Sequence, residues 1–253
     1  MSLREFAELF PKDAALTLVD AGSEGGIHAR RHAFAPILCA VGFDPRERER
    51  KGELSGGVSS PRVAVDRLDA VAARDGFTPD VLKIDTQGSE GSILDGTRNA
   101  VERPVVAAEI EISFMERWQA IFDDANARMK AASFRLVDLM RLKRHRSLDR
   151  ANVSLGFGQR AGSLSGADAT FVRRDEFVLD RAQQDGGLTL LRAMAAMIAY
   201  GKPDIAARFF DRGESLVAPE LRPVIANALR GLAKLNLGLR KFHIVADRLA
   251  RRV

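Results

Sequence analysis

Over the first two thirds of the chain, short apolar runs that end in turn residues alternate with segments whose apolar residues recur every three or four positions. The runs predict buried β-strands and the other segments predict helices. Such alternation is typical of an α/β protein whose mostly parallel sheet is covered by helices on both faces. The predicted strands span residues 16–20, 37–43, 80–85, 104–112, 135–140 and 167–174.

From about residue 181 the pattern changes to helix throughout. Turn residues at 201–203 and Pro219 separate the predicted helices into hairpins. We therefore predict an α/β domain at 1–180 and a C-terminal helical region at 181–253, which either packs as a cap or contacts a protein partner. The apolar residues recur there at the spacing of amphipathic helices, as at Leu188, Leu191, Met194 and Ile198.

A glycine-rich turn follows the first predicted strand. Asp20 ends the strand, and the turn contains Gly22, Ser23, Gly25 and Gly26. In a doubly wound sheet, a turn at this place lets a cofactor approach the backbone and the N-terminus of the next helix. These residues are therefore candidates for cofactor binding, although a tight turn with a purely structural role would have the same composition.

The second predicted strand ends at Asp44, twenty-four residues after Asp20 (44 − 20). An acid at this position can accept hydrogen bonds from both hydroxyls of a ribose. The turn departs from the G-x-G-x-x-G pattern that holds the pyrophosphate of a dinucleotide. Because S-adenosylmethionine has no pyrophosphate, the turn favours this methyl donor over NAD.

Residues 82–96, LKIDTQGSEGSILDG, resemble the signature of FkbM-family methyltransferases, in which a strand ending in K-I-D precedes Q-G-x-E and a helix that ends near a glycine. The resemblance covers roughly residues 16–175. It implies a Rossmann-like methyltransferase fold and O-methylation of a hydroxyl on a sugar, glycan, lipid or polyketide-like natural product. Similar family features stand in the same order at VDAGSEGG (19–26), VDRLDAV (65–71), AAEIEISF (107–114) and GQRAGSLSGADATFVRR (158–174).

The chain departs from the family pattern after the second strand. Only RERERKGELSGGVSSPRVAVDR separates the end of that strand from Leu68, so a helix and the third, edge strand are missing. The charge, Gly, Ser and Pro of this segment predict an irregular loop that leaves the second strand as the exposed edge of the sheet. Because the loop of the third strand normally contacts the adenine, we expect S-adenosylmethionine to bind more weakly than ~100 μM.

Carboxylates near the predicted strand ends are candidates for catalysis. Asp85, beside the cofactor turn, is the first candidate for the general base that takes the proton of the acceptor hydroxyl, and Glu111 is the second. Lys83 is expected on the other face of its strand, in a structural role, and Glu90 near the dipole of the helix that it begins. Asp85 with Glu109 or Glu111 offers oxygen ligands to Mg²⁺, although their spacing does not establish a magnesium site.

Composition changes this picture little. The net charge of +5 comes from scattered arginines, and the one dense basic stretch, at 141–150, either holds a phosphate or sugar acid or forms a solvated loop. We expect no nucleic-acid partner. No apolar run approaches the ~20 residues that span a bilayer, and the N-terminus does not resemble a secretory signal, so a cytoplasmic location is expected. Cys39 is expected to be buried in its strand.

Three functions remain open. The first is an active S-adenosylmethionine-dependent O-methyltransferase with a hydroxylated small-molecule or glycan acceptor. The second is a non-catalytic binding or scaffold protein that has lost its cofactor site and contacts a protein through its C-terminal helices. The third, a nucleotide-binding oxidoreductase, is disfavoured by the glycine turn.

Overall fold

The computed structural model describes residues 15–22, 37–43, 66–86, 88–115, 122–145 and 162–232, and its strands form one sheet. The described strands are β1 (Leu16–Ala21), β2 (Leu38–Phe43), β3 (Val81–Ile84), β4 (Ala107–Ser113), β5 (Phe134–His145) and β6 (Ser163–Arg173). Their order is β2-β1-β3-β4-β6-β5. β1, β3 and β4 pair in parallel, and β6 runs antiparallel to both β4 and β5. The predicted α/β fold with a mostly parallel sheet is confirmed.

Helices connect the strands and continue after the sheet. The described helices are α1 (Leu68–Asp75), α2 (Glu90–Gly96), α3 (Arg98–Glu102), α4 (Phe122–Ala131), α5 (Asp175–Gln184), α6 (Leu188–Ala199), α7 (Pro203–Gly213) and α8 (222–232). Two short helices, α2 and α3, follow the Q-G-x-E motif. Buried Thr97 separates them, and its hydroxyl donates to the carbonyl of Leu94 at 3.1 Å. None of the described helices is long and apolar enough to cross a membrane.

One face of the sheet is apolar and forms the main core with α1 to α4. The core includes Val19, Leu82, Ile84, Ala108, Ile110, Ile112, Ala169 and Phe171 of the strands, with Leu68, Leu94, Val101, Ala125 and Met129 of the helices. Buried Arg173 links three backbone segments that border this core. Its Nε donates to the carbonyl of Val105 at 2.8 Å, its other nitrogens donate to the carbonyls of Ala132 and Val101, and its guanidinium lies 4.1 Å from the centre of the Phe134 ring.

Contacts divide the chain into two compact units, and the sheet with α1 to α4 belongs to one of them. The other unit contains α5 to α8, and the last of its three segments of chain begins at Asp175. Within it, α6 is buried on nearly all sides. The buried carboxylate of Asp175 joins α5 to α7 by accepting hydrogen bonds from Arg208 at 2.7 Å and Arg212 at 2.6 Å. The functional division at residues 180 and 181 stays a prediction.

β2 lies at one end of the sheet that the described residues form. Its side chains are exposed or half-buried, and Cys39 is exposed. The expectation of a buried cysteine is therefore wrong, because an apolar run does not distinguish a central strand from an edge strand that has one neighbour. The irregular loop predicted between Asp44 and Leu68 falls almost entirely on residues 45–65, which lie outside the described part of the chain.

Candidate functional site

Charged side chains line the face of the sheet opposite the apolar core. In the strand register, Asp20 pairs with Lys83, Lys83 with Glu109, and Glu111 with Asp168. Cross-strand partners share a face, and every second residue of a strand returns to it, so all five side chains lie on one face. All five are buried. Charges at this depth are stable only with partners.

Lys83 lies between the glycine turn and the acid of the K-I-D signature. Its Nζ is 2.9 Å from Asp20 Oδ1, 3.5 Å from the carbonyl oxygen of Gly22 and 3.7 Å from Asp85 Oδ2. The expectation that Lys83 faces away from the site is wrong, because side chains two residues apart on a strand point to the same side. Lys83 connects two acids that were predicted from separate motifs.

Gly22 brings the end of β1 into direct contact with the end of β3. Its φ of +89° is a conformation that glycine adopts readily, and a Cβ at this position would lie 1.7 Å from the carbonyl oxygen of Asp85. The N–H of Gly22 donates to the carbonyl of Phe43 at 2.8 Å, and the N–H of Asp85 donates to that of Ala21 at 2.8 Å. The turn, the end of β2 and the backbone of Asp85 are thus held together.

Glu90 organises the loop that follows Asp85. Its buried carboxylate accepts hydrogen bonds from the N–H of Thr86 at 3.0 Å, the hydroxyl of Thr86 at 3.1 Å and the N–H of Gly88 at 3.1 Å. Glu90 is the first residue of α2, where a carboxylate also suits the helix dipole, as predicted. Its hydrogen bonds with the loop fix the backbone next to the candidate base.

Two cations of β5 lie over buried carboxylates of β4 and β6. Lys143 is ion-paired with Glu111, and Arg141 contacts both Glu109 and Asp168. About half of each cation is exposed, 52% for Lys143 and 51% for Arg141. Arg141 has a φ of +48°, and the register between β5 and β6 shifts just before Lys143. Neither cation nor Asp168 was predicted from the sequence as a site residue.

Asp85 and Glu111 form a pair of carboxyl groups in hydrogen-bond contact. Burial raises the pKa of Glu111, Lys143 opposes this shift, and the contact with Asp85 adds to it. Burial likewise raises the pKa of Asp168, against the opposing charge of Arg141. Adjacent carboxylates resist simultaneous ionisation and tend to share a proton. Asp85 is 25% exposed and Glu111 2%, so Asp85 is the member that an acceptor can reach.

The raised pKa of Glu111 predicts a pH-dependent contribution to stability. The folded state binds this proton more tightly than the unfolded chain, so the contribution is fully present below about pH 4.5, the ordinary value, and is lost as the pH rises through the folded pKa. Glu111→Gln removes the titration. We expect the free energy of unfolding of the variant, relative to the wild type, to increase from pH 4.5 to pH 7.5.

Urea unfolding of both proteins at pH 4.5, 6 and 7.5 measures this difference. Glu102→Gln is the control, because it makes the same chemical change at an exposed position. A difference between Glu111→Gln and the wild type that does not change with pH would contradict the prediction.

The structure places four of the predicted site residues together: Asp20, Gly22, Asp85 and Glu111. Among the described residues, no group of three or more His, Cys, Asp or Glu side chains is placed to hold a metal ion. Each carboxylate considered for Mg²⁺ contacts a cation: Glu109 contacts Arg141, Glu111 contacts Lys143 and Asp85 contacts Lys83. The other predicted cofactor residues lie outside the described part of the chain: Ser23, Gly25, Gly26 and Asp44.

The charges of this face suit a cationic ligand. Its carboxylates are Asp20, Asp85, Glu109, Glu111 and Asp168, and the cations in contact with them are Lys83, Arg141 and Lys143. Carboxyl groups outnumber these cations by two (5 − 3), so an excess of one negative charge remains when Asp85 and Glu111 share a proton. The sulfonium of S-adenosylmethionine carries a positive charge, so the described residues fit this cofactor.

Residues 27–136 match the family model of the methyltransferase FkbM domain. The match contains the entire K-I-D signature, begins directly after the glycine turn and ends in the first residues of β5. Over these residues the chain matches an S-adenosylmethionine-dependent methyltransferase. The chain carries an FkbM methyltransferase domain, and the resemblance predicted from the signature is confirmed.

No curated protein matches the chain. Among solved structures, a TehB-like S-adenosylmethionine-dependent methyltransferase from Corynebacterium glutamicum is 12% identical, with a TM-score of 0.26 over 68% of this chain and 87% of that one. A 16S rRNA (adenine(1408)-N(1))-methyltransferase from Catenulisporales acidiphilia is 19% identical, with a TM-score of 0.29 over 68% of this chain and 94% of that one. Structural similarity at such low TM-scores does not indicate which substrate this chain methylates.

Proposed function

We propose that this protein transfers the methyl group of S-adenosylmethionine to a hydroxyl of a sugar, glycan, lipid or natural product. The observation that best supports the proposal is the contact of Asp85 with Lys83 and Glu111 at the carboxyl edge of the sheet. Bound S-adenosylmethionine supplies an electrophilic methyl group. The protein has to hold the acceptor oxygen in line with that group and to remove the hydroxyl proton.

Asp85 is the proposed proton acceptor. It is the partly exposed member of the carboxyl pair, and its Oδ2 lies 3.7 Å from the ammonium nitrogen of Lys83. The hydroxyl proton moves to Asp85 as the new oxygen–carbon bond forms and the sulfur–carbon bond breaks. Glu111 lies behind Asp85, and its ion pair with Lys143 stabilises a carboxylate there. Removal of a proton by a positioned carboxylate contributes about 10²- to 10⁴-fold to a rate.

The cofactor is proposed to bind along the glycine turn and at the end of β2. Gly22 fixes the start of the turn against β3. The proposed turn site also includes Asp20, Ser23, Gly25 and Gly26. Asp44 is the proposed ligand of the ribose hydroxyls.

Calorimetric titration with S-adenosylhomocysteine tests the proposal, followed by incubation with methyl-labelled S-adenosylmethionine and a panel of sugars, glycans, lipids and other alcohols. We expect binding with a dissociation constant above ~100 μM and label transfer to one acceptor class. Absence of binding at millimolar concentrations would favour the non-catalytic binding protein. Label on a nitrogen or carbon of the product would contradict O-methylation.

Asp44→Ala is expected to weaken cofactor binding without unfolding the protein. A hydrogen bond with a charged group is worth roughly 1.5–3 kcal/mol, which corresponds to a loss of about tenfold to more than hundredfold in affinity. Titration with millimolar S-adenosylhomocysteine measures the loss, and thermal unfolding checks the fold. Asp180→Ala, at an exposed position of α5, is the control. An unchanged affinity in folded Asp44→Ala would exclude Asp44 as the ribose ligand.

A further inference from the structure

We propose that Lys83 is a positioning residue that locks the glycine turn after β1 to Asp85. The inference rests on the proposed function, because these two parts are the proposed sites of cofactor binding and proton removal. Lys83 keeps them at a fixed separation, so that a methyl donor held by the turn lies within reach of the base.

The contacts of Lys83 carry this inference. Its Nζ has oxygen atoms of two sequence motifs around it, the Asp20 carboxylate and Gly22 carbonyl on one side and the Asp85 carboxylate on the other. The side chain is 11% exposed, so little water competes for the ammonium protons. A buried ammonium group is costly unless such partners are present.

Neutralising Asp20 is the simplest alternative role for Lys83. One contact at 2.9 Å would suffice for that role. Lys83 also reaches the carbonyl of Gly22, the residue whose backbone packs against Asp85. It is the cation on the side of Asp85 that faces β1, whereas Glu111 contacts Asp85 from β4. Lys83 therefore contacts both parts that it is proposed to align.

The test compares Lys83→Met/Asp20→Asn with Asp20→Asn alone. Both variants lack the Asp20 charge. If Lys83 only neutralised Asp20, the two variants should therefore behave alike. Replacing a buried ion pair by neutral side chains of similar volume is often compatible with folding. We expect the double variant to bind S-adenosylmethionine at least ~10-fold more weakly than the single variant. Lys83→Arg should bind S-adenosylmethionine more weakly than the wild type, because its planar guanidinium keeps the charge but not the point geometry.

Amide hydrogen exchange supplies a readout that does not require a ligand. The N–H groups of Gly22 and Asp85 are hydrogen-bonded to Phe43 and Ala21. In the double variant we expect both to exchange at least ~10-fold faster than in Asp20→Asn, with little change in the strand interiors at Val19 and Leu82. A purely structural contribution to stability would accelerate exchange throughout the sheet.

Each outcome decides one of the proposals. Equal exchange and equal affinity in the double and single variants would overturn the positioning role. A further outcome is that the wild type binds no S-adenosylmethionine while Gly22 and Asp85 still exchange faster in the double variant than in Asp20→Asn. That result would contradict the proposed function and support the positioning role of Lys83. If the Met variants do not fold, Lys83→Arg is compared with the wild type, and unchanged exchange and affinity in it would overturn the inference.

Discussion

Asp85→Asn is expected to lower the rate of methyl transfer at least ~100-fold while changing the affinity for S-adenosylhomocysteine less than ~3-fold. The amide keeps the shape of the side chain and one oxygen that can face Lys83, so the positioning contact remains, but it cannot accept the hydroxyl proton. A 100-fold loss corresponds to about 2.7 kcal/mol of transition-state stabilisation. The fold should tolerate the change, because Asp85 is partly exposed and the substitution removes one of two adjacent carboxylates.

Transfer of labelled methyl groups at saturating acceptor measures the rate, and calorimetry measures the affinity. Asp180→Asn is the matched control, since the same chemical change at an exposed position of α5 should leave both quantities unaltered. A near-native rate in Asp85→Asn would remove Asp85 as the general base and direct attention to Glu111.

The sheet could be predicted because its central strands are short apolar runs that end in turn residues. The apolar pattern predicted too early an end for β5. The sequence predicted a strand at 135–140, and the structure continues it to His145. Residues 141–145 are exposed and largely charged, and their strand conformation comes from pairing with β6. That pairing is a tertiary property, and local composition carries little sign of it.

The candidate site was predicted in part. Asp20, Gly22, Asp85 and Glu111 lie in recognisable motifs, and the structure brings them to one edge of the sheet. Lys83 could have been placed as well, since a strict period of two puts it on the same face as Asp85. The same rule applied to Glu109 and Glu111 predicts a charged face of β4.

Other members of the site depend on the order and irregularities of the strands. Asp168 joins Glu111 because β6 pairs with β4, two strands that are far apart in the sequence. Arg141 and Lys143 reach this face near the register shift of β5, and Arg141 has a positive φ. A bulge of this kind redirects side chains without a strong sequence signal. The basic stretch was visible in the sequence, but its buried carboxylate partners were not.

Gly22→Ala is expected to destabilise the folded state by roughly 3–5 kcal/mol or to prevent folding. Alanine at a positive φ costs about 1–2 kcal/mol. The larger effect is steric, because the added Cβ would lie 1.7 Å from the carbonyl oxygen of Asp85 and 2.6 Å from its carbonyl carbon. These are backbone atoms, so they can move only if β1 and β3 separate at the end that carries the candidate site.

Gly76→Ala is the control that measures only the cost of placing alanine at a positive φ, without a steric clash. Gly76 ends α1 with a φ of +72°, and a Cβ there would have no atom within 4 Å. We expect this control to lose about 1–2 kcal/mol in urea unfolding and to keep the wild-type affinity for S-adenosylhomocysteine. If Gly22→Ala lost no more stability than Gly76→Ala, the close contact between the glycine turn and Asp85 would be excluded. We expect Gly22→Ala to lose more stability than Gly76→Ala and, if it folds, to lose cofactor binding. That result would show that the affinity depends on the backbone contact that places Asp85 beside the turn.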